Sequence, residues 1–575
     1  MESQGDLNEG QWVAAVAFLL LFLVPLVVLA AAWLKQRYAR AVVALQAGTA
    51  PSGGGSAAPD PPPARAAPSA VPAALTLSVS AAREVPQADH PGQAGLRLRR
   101  RVLVAQFTMG LLYWSWLLLA VVLALASVAD TATGSDPVTL RDRFSGHLML
   151  WPLLLAPPAL AWAVQAGAPE RRVWAGFGVL GACLALGLAL GRSFEWATFL
   201  GLLAGLALAG ALMVTFLRPA VRGAGPPLLA ATVVGWLVLC ALLAIAAAIF
   251  DDDSAGPPTA SDWALFVLAV FALLLPAVWA GRRMLTRLAR RYGEKRFSEL
   301  QLALAAYWGV VTAFGLAMAS LAAFDDKMAQ SAGVGEWLAI VLLLAWWLWR
   351  LALRVVLWWI TRRAPPPPGP LLFLRVFKPS SRSEAFTDRL LARWRFVAPT
   401  WMIAGPDLAG AYMEPDEFFA YLERRLAERY ITREDEIPAR LAALDGARDP
   451  DGRFRVNDLY CANTTWKATV LALMQQAGVV LLDLREYGSH RAGTRFELTE
   501  LLRRAPLEKV LLMTDAAQDL PSLQREVHTL WAEVAAGRAD AGRPAPLRLL
   551  QLDDSDAALQ GLIAALSNAA GRSAR

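Results

Sequence analysis

Trp337–Phe377 reads WLAIVLLLAWWLWRLALRVVLWWITRRAPPPPGPLLFLRVF, and the solvent the chain is built for changes inside it. Up to Ile360 the residues are apolar and aromatic for long enough to cross a hydrocarbon layer, which takes about 20 residues of helix. After Arg362 and Arg363 come four consecutive prolines, Pro365 to Pro368, and then a short apolar run of strand length. Such runs, separated by amphipathic helices, build parallel sheets in water. The chain therefore divides into a helical part before this point and an α/β part after it.

Upstream, roughly nine apolar stretches fit the spanning length. They lie at Trp12–Leu34, Leu103–Ala129, Leu148–Ala166, Val173–Leu190, Trp196–Leu217, Leu228–Phe250, Trp263–Ala280, Leu302–Phe324 and Trp337–Ile360. The first follows Glu2, Asp6 and Glu9 and precedes Lys35, Arg37 and Arg40, the charge order of a retained anchor with its N-terminus outside. Arg97 with Arg99–Arg101, Arg171 with Arg172, Arg218 with Arg222, Arg282–Arg296 and Arg362 with Arg363 alternate with acidic or poorly basic loops. An odd span count puts every basic loop on one side, which predicts a cytoplasmic C-terminal domain, and the heavy Ala, Arg, Pro and Gly usage, compatible with a GC-rich bacterial genome, makes a bacterial inner (plasma) membrane the expected location. Ionisable residues at membrane depth are scarce, which weighs against a carrier or channel. Arg350 and Arg354, one turn apart in the last span, read as arginines that snorkel to the cytoplasmic face or touch lipid headgroups.

Composition agrees with that division. The 575 residues are 56% hydrophobic and 18% charged, with a mean hydropathy of +0.41, a bias that points to a polytopic membrane protein carrying a soluble domain. The formal charge is +7, but the basic residues flank apolar spans, so topology explains them and no nucleic acid is expected as a partner. Cys183, Cys240 and Cys461 show neither a disulfide framework nor zinc spacing, and no metal site is expected. Residues 47–98 are dominated by Ala, Pro, Gly and Ser up to about Gly95 and read as a disordered cytoplasmic linker. Ala364–Pro370 reads as a stiff spacer that holds the C-terminal domain off the bilayer.

Within 371–575, strand-like runs at Leu371–Phe377, Thr400–Ala404, Val479–Leu484, Lys509–Thr514 and Leu547–Leu552 alternate with helical patterns. The helices fall at Ser383–Phe396, Thr465–Ala477, Thr494–Arg504, Ser522–Ala535 and Asp556–Ala569, and a long polar insertion carries one more at Glu414–Tyr430. The pattern predicts a doubly wound, about five-stranded parallel sheet. Ligands of such sheets bind beyond the carboxyl ends of the strands. Those ends offer Arg375, Ser381, Arg382, Asp407, Asp483 and Arg485. Neither a dinucleotide glycine fingerprint nor a P-loop is present at any of them. Arg375 and Arg382 suit a phosphate, and Asp483 suits a ribose or a metal, although paired surface arginines and a turn-capping aspartate are the plainer readings.

LLFLRVFKPSSRSEAFTDRLLARW (Leu371–Trp394) resembles the first strand, polar loop and helix of Toll/interleukin-1 receptor (TIR) domains. VVLLDLREYGSHRAGTRFELTELL (Val479–Leu502) is similar to a later strand, loop and helix of that family, and KVLLMTD (Lys509–Asp515) to the strand after it. The resemblance implies a TIR-like fold and, by analogy with the family's enzymes, a glutamate essential for cleaving the nicotinamide–ribose bond of NAD. By motif position that glutamate is Glu497, beside Gly493. Gly493 and Thr494 stand where the family usually has an aromatic–Cys pair, Asp483 where it commonly has serine, and the insertion at Leu408–Asn463 is longer than usual. Nucleotide-sensing Rossmann-like domains fit the Asp483–Glu497 pattern comparably well.

Thr494 and Glu497 also have the spacing of a capping box, in which each side chain satisfies an amide at the helix start, and Ser381 with Glu384 has it too. Three functions follow as expectations. In the first, a membrane-anchored signalling or defence protein binds NAD or a related nucleotide, with NAD cleavage at Glu497 as its enzymatic form. The second is a non-catalytic module that forms a homo-oligomer or recruits a protein partner. The third is a transporter or channel with a regulatory domain.

Overall fold

A computed structural model describes residues 29–30, 32–34, 36–45, 74–87, 90–129, 158–159, 161–163, 170–190, 245, 249, 259–309, 312, 332–375, 381–404, 415–488, 491–538 and 544–573. The fold is mostly helical, with one eight-stranded parallel sheet. It separates into a helical unit (Met1–Arg37, Leu103–Val356, Ala411–Glu423) and a sheet unit (Tyr38–Val102, Leu357–Gly410, Arg424–Arg575).

Among the described residues, four long helices mark the first part of the chain: α1 (Gln93–Ala129), α2 (Glu170–Leu190), α3 (Ala260–Gly293) and α4 (Ala332–Thr361). Among the described residues, one helix is long and apolar enough to cross a membrane, Trp263–Gly293 within α3. The spans expected at Trp12–Leu34, Leu148–Ala166, Trp196–Leu217, Leu228–Phe250 and Leu302–Phe324 lie wholly or mostly outside the described residues. Within the helical unit the packing is close. A Cβ on Gly110 of α1 would come within 2.9 Å of the Trp308 ring, the approach that glycine permits between helices. Thr312 Oγ1 donates to the Trp308 carbonyl, so Tyr113 donates its hydroxyl proton to Thr312 at 2.5 Å. Trp349 Nε1 donates to the Met109 carbonyl at 3.0 Å, tying α4 to α1.

All five expected strands form: β2 (Leu371–Leu374), β3 (Thr400–Ala404), β6 (Val479–Asp483), β7 (Val510–Asp515) and β8 (Ala545–Leu552). They lie in the order β3-β2-β6-β7-β8, the arrangement of flavodoxin-type doubly wound sheets. β2 and β6 are buried along their whole length, which is why they read as unbroken apolar runs. The strand order reverses between β2 and β6. Right-handed crossovers on either side of that reversal put α5 (Ser381–Trp394) on one face and α8 (Trp466–Gln476), α9 (Ala492–Arg504) and α10 (Leu520–Val534) on the other. The last helix, α11 (Asp556–Ser573), joins α5, and Arg393 meets Asp556 between them at 2.9 Å.

Three further strands correct the five-strand expectation. The long insertion supplies β4 (Tyr430–Ile431) and β5 (Val456–Cys461), which extend the sheet past β3. Its expected helix is short: α6 (Pro415–Leu422) belongs to the helical unit and packs on α3, and α7 (Ile437–Ala442) is a separate helix. The third strand, β1 (Leu75–Ala81), comes from the supposed disordered linker and pairs in parallel with β8 from Leu75↔Ala545 to Ala81↔Gln551. Its sequence LTLSVSA alternates apolar and polar residues, as a half-buried edge strand does.

The chain after β1 lies along α11. A Cβ on Gly561 would fall 1.8 Å from the Ala82 carbonyl oxygen, so only glycine admits that backbone. Ser567 Oγ donates to the Ile563 carbonyl at 2.6 Å and accepts from His90 Nδ1–H at 2.8 Å, and burial lowers the His90 pKa. On the far edge, Tyr38 contacts the Tyr460 hydroxyl at 3.0 Å and the Tyr430 hydroxyl donates to the Val42 carbonyl at 3.2 Å. Residues on both sides of the 46–73 stretch thus cover opposite edges of the sheet. The proline spacer is also part of the sheet unit, because Arg448 Nη2 donates to the Pro365 carbonyl at 3.0 Å.

Candidate functional site

The reversal between β2 and β6 is where a sheet of this order opens a crevice beyond its strands' carboxyl ends. β6 ends at Asp483, 4% exposed, and the next turn returns Arg485 onto it. Asp483 Oδ1 accepts from the Arg485 backbone amide at 3.0 Å and from Nε at 2.9 Å, and Oδ2 accepts from Nη2 at 2.6 Å. This forked pair leaves neither charge alone in the interior. Burial pushes the Asp483 carboxyl up, and the Arg485 hydrogen bonds and charge oppose the rise. The guanidinium lies 4.7 Å from the centre of the Phe386 ring, so the end of β6 is stapled to α5.

Glu486 follows with φ 61°, a left-handed conformation unusual for a side chain larger than glycine. Its carboxylate accepts from Ser383 Oγ at 2.8 Å, a second tie from the β6 turn to α5. Tyr487 donates to Glu526 on α10 at 2.6 Å. Ser383, Glu486, Tyr487 and Glu526 were not anticipated from the sequence. No local pattern announces contacts between residues so far apart, though the polar EYGSH loop after an apolar strand marks the place.

Arg375 follows β2 directly and is buried at the same edge. Ser381 opens α5. Arg382 is engaged elsewhere: its Nε meets Asp554 before α11 at 2.9 Å, and both side chains are exposed. Asp407 lies outside the described residues. Gly493 sits half-buried in the first turn of α9. Among the described residues no group of three or more His, Cys, Asp or Glu side chains is disposed to hold a metal.

Glu497 is the unusual group. α9 begins at Ala492 with Arg491 at its N-cap and no side-chain hydrogen bond there, so Thr494 and Glu497 do not form the expected capping box. The helix starts before the T-x-x-E spacing would place it, which turns both side chains inward: Thr494 is 2% and Glu497 3% exposed. Glu497 Oε2 has no hydrogen-bond partner among the described residues. Burial pushes its carboxyl up to about 8. Glu500, buried one turn further along, is held by Arg503 and Arg504 at 2.5 and 2.7 Å. In a right-handed βαβ unit the helix starts at the strands' carboxyl edge. Glu497 stands five residues into α9 and so lies roughly 8 Å along the axis from that start. An unpaired, protonated carboxyl in that position can donate a hydrogen bond to a polar ligand or, once ionised, stabilise positive charge.

No protein-family model matches the chain, and no curated protein matches it either.

Proposed function

We propose that this chain is a polytopic membrane protein whose cytoplasmic, TIR-like sheet unit binds a nucleotide-type ligand at the β2/β6 crevice and acts in signalling or defence. In the enzymatic form of this reading the ligand is NAD and Glu497 carries the chemistry. The observation that carries the reading is Glu497 itself: buried, without a capping role, Oε2 unpartnered, and pushed up to about 8. Leaving a polar group buried and unsatisfied costs about 1–3 kcal/mol, more if it is charged, and such outliers concentrate at functional sites. The strand order supports the location, and the exposed apolar face of α3 supports membrane insertion.

The chemistry follows from the charge. Nicotinamide leaves when the bond between its ring nitrogen and ribose C1′ breaks, the electron pair going to the nitrogen and positive charge developing on the ribose. Water then adds to C1′ and loses a proton. An empty site holds Glu497 mostly protonated at neutral pH. A cationic nicotinamide ring nearby favours the ionised form, and the carboxylate then stabilises the developing ribosyl cation. The rate of NAD cleavage at low substrate is therefore expected to rise with pH through about 8, the value set by the free protein's carboxyl.

The test is nicotinamide release from NAD by the full-length protein in detergent, with Glu497→Gln as comparison. Release that rises with pH and is lost in the variant is expected. No release at high protein concentration, or equal release by both proteins, removes the enzymatic form.

One observation favours the second reading, a non-catalytic assembly module. Asp483 and Arg485 neutralise each other, and Asp554 engages Arg382, so these strand-edge charges are already satisfied without a ligand. Concentration-dependent self-association with no heat of nucleotide binding in calorimetry would establish that reading instead.

A further inference from the structure

We propose that β1 is a dimer interface: two copies of the chain pair their β1 strands antiparallel, across a twofold axis at Ser78, and join their sheets edge to edge. The dimer is independent of what the β2/β6 crevice binds. β1 stands last in the strand order, with β8 on its inner side. A strand in a parallel sheet bonds each neighbour through the backbone groups of alternate residues, so half of the β1 amides and carbonyls point away from β8. Among the described residues no strand pairs with that outer half.

Proteins blunt such an edge with a lysine, a proline, a bulge or a very short strand. β1 has none of these. LTLSVSA carries no charge and no proline, runs for seven residues, and keeps its register with β8 unbroken from Leu75↔Ala545 to Ala81↔Gln551. The opposite edge is protected. There β4 is two residues long, and Tyr38 and Val42 lie against Tyr460 and Tyr430 beside it. The side chains of β1 also leave room for a neighbour: Leu77 and Val79 pack against the core yet stay half-buried, and a further strand would finish covering them.

The contrast between the two edges selects a second copy as the occupant. A head-to-tail join would need the β4 edge and would continue into a filament, whereas β1 meeting β1 uses one surface twice and closes at two copies. Pairing centred on Ser78 sets Leu77 opposite the partner's Val79, Thr76 opposite the partner's Ser80 and Leu75 opposite the partner's Ala81. Apolar side chains then meet apolar ones and hydroxyls meet hydroxyls, the cross-strand pairs that stabilise antiparallel strands. A charge at the axis would face its own copy and oppose the join. Ser78 is neutral and exposed, and no charge stands within the strand.

The experiment is disulfide trapping in the full-length protein, with cysteines placed on the exposed face of β1, a mild oxidant, and dimer read on a non-reducing gel. Facing Cβ atoms in an antiparallel pair stand about 5 Å apart, close enough for a disulfide after a small shift. S78C is expected to give dimer, because Ser78 faces its own copy. T76C and S80C are each expected to stay monomeric, since in either variant the two cysteines lie four positions apart, about 14 Å along the strands. T76C/S80C, whose cysteines face each other across the axis, is expected to restore the dimer. The wild type, with Cys183, Cys240 and Cys461, sets the background. Thr76, Ser78 and Ser80 are all exposed, so these changes leave the fold in place. Equal trapping of S78C, T76C and S80C would signal chance collision and overturn the interface. A monomeric S78C overturns it as well: rapid labelling by a maleimide would show an open edge without a partner, and protection from labelling an edge covered by another stretch of the chain or by a different protein.

Discussion

The carboxyl end of β6 and the second turn of α9 each bury one acidic side chain, Asp483 and Glu497, and the protein treats them oppositely. Asp483 meets a guanidinium through both oxygens and an amide through one. Glu497, equally enclosed, has an oxygen with no partner among the described residues. Burial by itself therefore does not mark a functional acid. Enclosing a charge is costly in either place. At Asp483 the cost is offset by a counter-charge that also fastens β6 to α5. At Glu497 no counter-charge stands among the described residues, and burial pushes the carboxyl toward its protonated form. A site able to use a carboxyl needs the second arrangement.

The largest effect is expected where that counter-charge is removed. Arg485→Ala leaves Asp483 buried and unpaired, and breaking such a pair costs about 3–5 kcal/mol. Amide exchange in β6 and β7 of the full-length protein should speed up accordingly. Asp483→Asn/Arg485→Leu, which removes both charges, should recover most of the loss. A single variant as well protected as wild type would mean the pair is not a structural staple, and the contrast with Glu497 would lose its basis.

Glu497→Gln should act in the opposite direction. The folded carboxyl titrates at about 8 against an ordinary 4.5. Between those values the unfolded chain has lost the proton that the folded one keeps, so stability falls as pH rises through the window and levels off above about 8. At pH 7 the window spans roughly 2.5 units, or about 3 kcal/mol at ~1.4 kcal/mol per unit. Gln in the same volume removes that slope. The variant is therefore expected to be more stable than wild type at pH 7, equal to it near pH 4, and inactive toward NAD. Identical pH dependence of exchange in the two proteins would show that Glu497 ionises normally and would take away the reason to single it out.

How far these features could be read from sequence depended on whether the controlling contact was local. The central strands announced themselves because both faces of a parallel sheet are covered, which makes VVLL and LLFL unbroken apolar runs. β1 was hidden by its company. LTLSVSA has the period of an edge strand, but it stands in an Ala- and Pro-rich stretch, and its partner β8 lies near the other end of the chain. β4, two residues long, and β5, with Asn457 and Asp458 inside it, carry too little apolar pattern to separate from a loop. At the site, motif position singles out Glu497 without saying that it is buried, and its capping role was misjudged, because T-x-x-E spacing does not say where a helix begins. The Arg485 fork onto Asp483 joins residues two apart and was legible in principle, but Ser383 with Glu486 was not.

The smallest effect is expected at Arg382, the arginine that sequence placed at the same strand edge as Arg485. Its pair with Asp554 has the geometry of a salt bridge, 2.9 Å, but both side chains are more than half exposed. Water and salt screen such pairs, so Arg382→Ala should change stability by no more than about 1 kcal/mol. That small effect makes the variant informative about ligand binding, because folding and affinity separate. If the crevice takes a nucleotide and Arg382 turns from Asp554 to its phosphate, calorimetry should show weaker binding at unchanged stability, and a weaker dependence on salt. Unchanged nucleotide affinity in Arg382→Ala would leave the buried end of β2 and the β6 turn, Arg375 and Arg485, as the only arginines from the predicted set able to contact a phosphate there. A loss of several kcal/mol in stability would show instead that the exposed pair works like the buried one, and that enclosure is not what separates the protein's structural charges from its available ones.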